Sequence, residues 1–133
     1  MLKIFSLSCG AAVFSAVFCM LISANGQTQL RKPPPVVRIA ELEIDPDQVV
    51  AYKHALSDEI AISVREEPGV LMLYAVSVMG QPTQVRIFET YKDQAAYESH
   101  LQSPHFKKYK DGTHGMVKSL KLIETEPIML AGK

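Results

Sequence analysis

Two histidines stand close together in the segment YESHLQSPHFKKY, which covers residues 97–109. His100 and His105 are five positions apart, with Ser103 and Pro104 between them. A neutral imidazole can accept and return a proton near pH 7, so either side chain is a candidate general base. An inward histidine can equally be a hydrogen-bonded core residue, and the sequence leaves both interpretations open.

A carboxylate in an apolar segment is the second candidate for chemistry. Glu89 alternates in step with Val85 and Ile87, so it should point to the same face of a strand. A carboxylate among apolar side chains needs a partner, and we expect Arg65 or a histidine to supply it.

Several common functional motifs are absent from the sequence, which excludes the classes of site that depend on them. His100 and His105 lack the i, i+4 spacing that places two ligands on one helix face, so we predict no metal site. The sequence contains no glycine-rich phosphate loop and no Gly-x-Ser-x-Gly motif. It has 14 basic and 14 acidic side chains and no basic patch, which argues against nucleic acid as a partner.

The elements that position these residues follow the order β-α-β-β-α-β. Alternating or continuous apolar runs predict strands over residues 36–44, 70–78, 85–91 and 120–126. Asp45 and Pro46 begin a helix whose apolar stripe consists of Val49, Tyr52, Leu56, Ile60 and Val64, and Pro68-Gly69 ends it. A short helix is predicted over 93–101, and Ser103-Pro104 starts another helical piece that ends near Lys110.

This order predicts an α+β, ferredoxin-like domain over residues 36–130, with an antiparallel four-stranded sheet and its helices on one face. The strand over 70–78 is apolar at nearly every position, so its other face should be covered as well. A second copy of the same sheet is the simplest cover, and we therefore expect a homodimer.

The N-terminal residues differ from the rest of the chain. Residues 1–26 combine Lys3, an uncharged apolar run and a small-residue end, which is typical of a secretory signal peptide. Residues 27–35 read as a proline-rich linker. We therefore expect an exported, periplasmic or secreted domain without a stable membrane anchor after cleavage, although the apolar run is also long enough for an uncleaved anchor. Both cysteines, Cys9 and Cys19, lie in this segment.

Four segments of the sequence resemble the antibiotic biosynthesis monooxygenase family, which includes quinol-monooxygenase-like domains. The segments are EIAISVREEPGVLMLY over 59–74, IFETY over 87–91, AYESHL over 96–101 and SPHF over 103–106. The resemblance covers residues 36–128. It implies a homodimeric α+β barrel with a pocket in each subunit, and oxygenases that use no metal, flavin or haem cofactor.

The resemblance also implies a role for each candidate residue. A small aromatic or quinol substrate would lose a proton to His100 or His105, and the resulting anion would react directly with dioxygen. Arg65, Tyr74, Glu89 and Phe106 would bind or orient the substrate. Haem-degrading relatives use an Asn and a Trp, whereas this sequence has no Trp and its sole Asn, Asn25, precedes the domain.

Two other functions remain open from the sequence. One is an acid/base isomerase of a small carbonyl compound that uses the same pocket. The other is a non-catalytic dimeric domain that binds an apolar metabolite.

Overall fold

The computed structural model describes residues 32–131. The predicted signal peptide and most of the predicted linker lie outside the described residues. Within residues 32–131, no helix has both the length and the apolar character needed to span a membrane.

The described chain alternates strands and helices in the predicted order. Its elements are β1 (Val36–Ile44), α1 (Val49–Glu66), β2 (Val70–Val78), β3 (Gln81–Tyr91), α2 (Gln94–Gln102), α3 (Pro104–Thr113) and β4 (Val117–Thr125). A single 3-10 turn, Pro46–Gln48, leads into α1. The prediction of a ferredoxin-like α+β fold is confirmed.

The four strands form one antiparallel sheet in the order β2-β3-β1-β4. Strand β3 therefore lies between β1 and β2, which is the split β-α-β arrangement. The core lies between the sheet and α1, where buried strand residues pack against Tyr52 and Leu56. The strand residues of this core are Ala40, Leu42, Ile44, Val85 and Ile87.

Side-chain caps fix the starts of the two short helices. The Asp93 carboxylate accepts a hydrogen bond from the Ala96 amide at the start of α2, at 2.8 Å. The Ser103 hydroxyl accepts one from the Phe106 amide at the start of α3, at 3.3 Å. Pro104 occupies the first turn of α3, where its missing amide hydrogen costs nothing. These caps set the bend between His100 and His105.

The structure corrects the predicted inward face of α1. Its buried residues are Tyr52, Leu56, Glu59 and Ser63, whereas Val64 is half exposed. The spacing 52, 56, 59, 63 also describes one helix face. Ile60 still packs against the core from a partly buried position, so the predicted stripe fails only at Val64. Glu59 and Ser63 add two buried polar side chains to the second half of α1.

Three predicted boundaries also shift. Helix α3 continues to Thr113 instead of ending near Lys110, because the buried Thr113 hydroxyl donates to the Tyr109 carbonyl at 2.8 Å. Strand β4 begins at Val117 and β3 at Gln81, so both extend beyond their most apolar residues.

The sheet face opposite the helices carries an apolar row. Tyr74 pairs with Phe88, Phe88 with Ile39, and Ile39 with Ile123, so the row crosses all four strands at one level. Tyr74 is 58% exposed and stacks against Phe88 with 6.2 Å between the ring centroids. No helix of the described chain covers this row, which we call the open-face row.

Candidate active site

A cavity of about 230 Å³ lies between the helix-facing side of the sheet and helices α2 and α3. Strand residues such as Leu42, Ile87 and Leu122 form much of its apolar wall, and Phe106 adds an aromatic side from α3. Its polar lining consists of Glu89, Tyr91, Tyr97, His100, Tyr109 and Lys110. An apolar hollow with a few converging polar groups is the usual form of a small-molecule site.

His100 forms part of the cavity wall and is 3% exposed. It lies near the end of α2, and its ring contacts Phe106 at 4.6 Å and Tyr91 at 5.3 Å between centroids. Its Nδ1–H group donates a hydrogen bond to Glu67 Oε1 at 2.9 Å. A neutral ring held in this way keeps its lone pair on Nε2, which is the nitrogen that a general base uses to accept a proton.

Glu67 joins the two histidines. His105 Nε2–H donates to the same oxygen, Glu67 Oε1, at 2.5 Å. Burial raises the pKa of Glu67, but the hydrogen bonds from His100 and His105 lower it by more, so the pKa lies below its ordinary value. Glu67 is therefore an ionised carboxylate that fixes the tautomer and orientation of both rings.

Glu59 adds a second carboxylate beside His100. It is 5% exposed and accepts a hydrogen bond from the Ser63 hydroxyl at 2.6 Å. Its Oε1 lies 3.8 Å from His100 Nε2, which is beyond hydrogen-bonding distance. We call Glu59, Glu67, His100 and His105 the carboxylate–imidazole cluster.

Glu89 lines the cavity on the sheet side. Burial raises its pKa above the ordinary value, although the hydroxyl of Tyr91 donates to Glu89 Oε2 at 3.1 Å and the charges of His100 and Arg38 act the other way. Burial also raises the pKa of Tyr91, so its hydroxyl stays protonated as a donor. A carboxyl group that holds its proton to higher pH can donate a hydrogen bond to an oxyanion.

The predicted site residues fall into two groups. His100, Glu89 and Phe106 line the cavity together, and His105 is joined to them through Glu67 while lining a separate hollow between α1 and α3. Arg65 and Tyr74 do not line the cavity. The suggested Arg65–Glu89 pair is not formed, because Arg65 points outward from the end of α1 and pairs with Glu66 at 2.9 Å. Tyr74 belongs to the open-face row.

Sequence reasoning missed Glu59 and gave no role to Glu67. A signal was present, because Glu59, Ser63 and Glu67 follow one another at intervals of four and continue the line of Leu56 along the helix.

Comparison with known proteins agrees with this architecture. Residues 35–112 match the sequence profile of the family described as antibiotic biosynthesis monooxygenase. A solved structure from Bacteroides thetaiotaomicron that carries this family name is 47% identical, with a TM-score of 0.72 over 74% of this chain and 94% of that chain. The comparison with curated proteins finds no match.

More distant structures share the fold. A protein of Lactobacillus acidophilus named as a monooxygenase is 29% identical, with a TM-score of 0.65 over 68% of this chain and 44% of that chain. A Mycobacterium tuberculosis protein is 23% identical, with a TM-score of 0.67 over 74% of this chain and all of that chain. The family profile and the Bacteroides structure together establish that this chain belongs to the antibiotic biosynthesis monooxygenase family.

Proposed function

We propose that this protein is a cofactor-independent monooxygenase that oxidises a small aromatic or quinol compound with dioxygen, and that His100 is its general base. The observation that carries the proposal is the position of His100, whose buried ring lines the cavity while Glu67 holds its Nδ1–H group. A carboxylate on the far nitrogen stabilises the imidazolium that forms when Nε2 accepts a proton.

In the first step, His100 Nε2 takes a proton from the electron-rich substrate, and the anion that forms is stabilised by nearby donors. The Tyr97 hydroxyl on the cavity wall can donate to a substrate oxygen, and burial, which raises the pKa of Glu89, favours the protonated form in which Glu89 can donate as well. Tyr97 is itself fixed by Arg38, whose Nη1 donates to the Tyr97 hydroxyl at 2.6 Å. The apolar wall limits water around the anion, which strengthens these interactions.

In the second step, the anion gives one electron to dioxygen, and the resulting superoxide joins the substrate radical to form a peroxide. The imidazolium of His100 returns its proton to the peroxide. The C–H bond at the peroxide carbon then breaks together with the O–O bond, and the proton released from that carbon joins the leaving hydroxide. One oxygen atom stays in the product as a carbonyl or hydroxyl group, and the other leaves as water. The substrate thereby loses four electrons and two hydrogens, which balances the reduction of one dioxygen molecule.

Oxygen consumption with a panel of quinols and anthrone-like phenols tests this function. We expect turnover without added cofactor, and we expect His100→Ala to lower it by about 10²- to 10⁴-fold, the usual contribution of a positioned acid/base group. His114→Ala removes an exposed histidine and should leave turnover unchanged.

Three outcomes separate the candidate functions. A folded His100→Ala variant with full turnover would remove His100 as the base. Conversion of a small carbonyl compound without oxygen uptake would favour the isomerase. Tight binding of an aromatic compound with no turnover of any kind would favour a binding domain.

We also propose that two chains associate through their open sheet faces. The support is the open-face row, in which four apolar side chains from four strands are left uncovered by the helices.

Residues 1–26 support a further proposal, export to the periplasm or the medium, because a basic start, an apolar run and small residues follow in that order.

A further inference from the structure

The carboxylate–imidazole cluster places a buried carboxyl group beside a buried imidazole ring. Glu59 is almost fully buried, and Ser63 is the donor that its hydrogen bond uses within residues 32–131. Glu67 accepts from both imidazoles, and no lysine or arginine in this range forms an ion pair with either carboxylate. A buried carboxylate with so little compensation favours a cation beside it.

The ligand atoms for such a cation already lie together. One atom from each of Glu59, His100 and His105 lies within 4.8 Å of the other two. A tetrahedral zinc ion, with bonds of about 2.0–2.2 Å, holds its ligand atoms roughly 3.3–3.6 Å apart. The Glu59–His100 distance of 3.8 Å is close to this value.

Glu67 supplies the outer interaction that such a site uses. Histidines that bind a metal usually donate their other ring hydrogen to a carboxylate or carbonyl oxygen. Glu67 accepts the Nδ1–H group of His100, which leaves Nε2 directed to the ligand role.

An entry path for the ion is also present. Glu59 and His105 line a hollow of about 270 Å³ between α1 and α3, with Asp58 and Lys108 at its wall. His100 instead lines the cavity between the sheet and helices α2 and α3. The cluster can therefore be reached from the helix side without passage through that cavity.

We propose that Glu59, His100 and His105 form a binding site for a divalent transition-metal ion of the Zn²⁺ type. Two imidazoles and one carboxylate suit zinc, cobalt and nickel, whereas magnesium and calcium prefer oxygen ligands. The spacing of His100 and His105 alone predicted no metal site. The third ligand, Glu59, comes from α1, about 40 positions before His100.

One consequence of this site rests on the proposed function. The Nε2 lone pair of His100 cannot hold a metal ion and accept a substrate proton at the same time. Bound zinc would therefore inhibit the oxygenase, and its removal would restore the base.

Calorimetric titration of the metal-free full chain with Zn²⁺ tests the site without any substrate. We expect one Zn²⁺ per chain and no heat with Mg²⁺. Glu59→Gln and His105→Ala should each raise Kd at least about tenfold, the loss that follows even from removal of an outer partner. His54→Ala and His114→Ala remove exposed histidines and should not change Kd.

Two controls make the result decisive. Cys9 and Cys19 can bind zinc themselves, so the titration is repeated with Cys9→Ser/Cys19→Ser, which should keep one site per chain. Circular dichroism checks that Glu59→Gln and His105→Ala are folded. Absence of binding, or unchanged Kd in both folded variants, overturns the proposal. Because no turnover is measured, these outcomes are independent of the proposed oxygenase activity.

Discussion

Glu67 is the residue on which the geometry of both histidines depends. Its Oε1 atom accepts one hydrogen bond from His100 and a second from His105. The carboxylate follows the last residue of α1, while the two rings belong to α2 and α3. Loss of its charge should therefore disturb packing as well as proton transfer.

Glu67→Gln should lower stability in a pH-dependent way. The pKa of Glu67 is lowered from its ordinary 4.5 in the folded chain, so its stabilising effect is fully present above about pH 4.5 and is lost as the pH falls through the lower folded-state value. We expect the difference in unfolding free energy between the wild type and Glu67→Gln to be larger at pH 7 than at pH 3.

Urea denaturation at several pH values measures this difference. Glu66→Gln is the matched control, because the neighbouring Glu66 is exposed and pairs only with Arg65 in the described chain. Its effect should be small at every pH. An equal loss for Glu67→Gln at pH 7 and pH 3 would contradict an ionic role.

The sequence predicted some of the residues that line the cavity and missed others. His100, Glu89 and Phe106 do line one cavity. Arg65 was predicted to belong to the site and lies outside it, whereas Glu59 was not predicted and lies within the carboxylate–imidazole cluster. Both differences have the same cause, because helix periodicity shows which residues share a face but not which other element packs against that face.

Gly69 is the position where two elements approach most closely. It lies between α1 and β2, and a Cβ atom added there would overlap the Cβ of Ala96 in α2. Its carbonyl also accepts a hydrogen bond from the Lys92 amide at 2.8 Å. Since Ala96 is one turn before His100, the close approach at Gly69 sets the distance of the histidine from the end of α1.

Gly69→Ala should destabilise the fold and displace α2. We expect a loss of about 1–3 kcal/mol, which is typical of overpacking in a filled space, together with weaker turnover. Denaturant unfolding measures the first effect. Gly112→Ala is the control, because a Cβ there meets nothing within 4 Å and the residue lies in α3, so alanine should be neutral or stabilising. Equal stability of both variants would argue against a tight Gly69 contact.

Local pattern determines most elements of this chain, which is why the sequence predicted β1 and β2 to the residue. The break at Ser103-Pro104 was also predicted, since it depends on neighbours in sequence. The end of α3 was not, because Gly112 and Thr113 resemble a loop and only the burial of Thr113 and its bond to Tyr109 keep them helical.

Within residues 32–131, the open-face row is the exposed apolar surface that the proposed dimer would cover. The open-face row lies beside a more polar level of the sheet, in which Arg86 and Glu41 form an ion pair at 3.4 Å. Apolar residues bordered by charges are typical of an interface between proteins. We therefore expect the second copy to contact Phe88, at the centre of the sheet.

Phe88→Asp should convert a dimer into a monomer, because it places a charge where two apolar faces would meet. Analytical ultracentrifugation of the wild type and the variant measures the mass. Val50→Asp is the control, since Val50 is 72% exposed on α1. A wild type that sediments as a monomer, or a folded Phe88→Asp variant that stays dimeric, would exclude this interface.

The cavity draws its apolar wall mainly from strand side chains, whereas His100 lies near the end of α2 and its partner Glu67 follows the end of α1. Ile87 and Leu122 can thus change in size without touching Glu67 or His100. The size of the substrate that fits the cavity can therefore be changed independently of the proposed proton transfer by His100. Substitution at these two strand positions would alter the size of the compound that fits the cavity and leave the hydrogen bond between Glu67 and His100 in place.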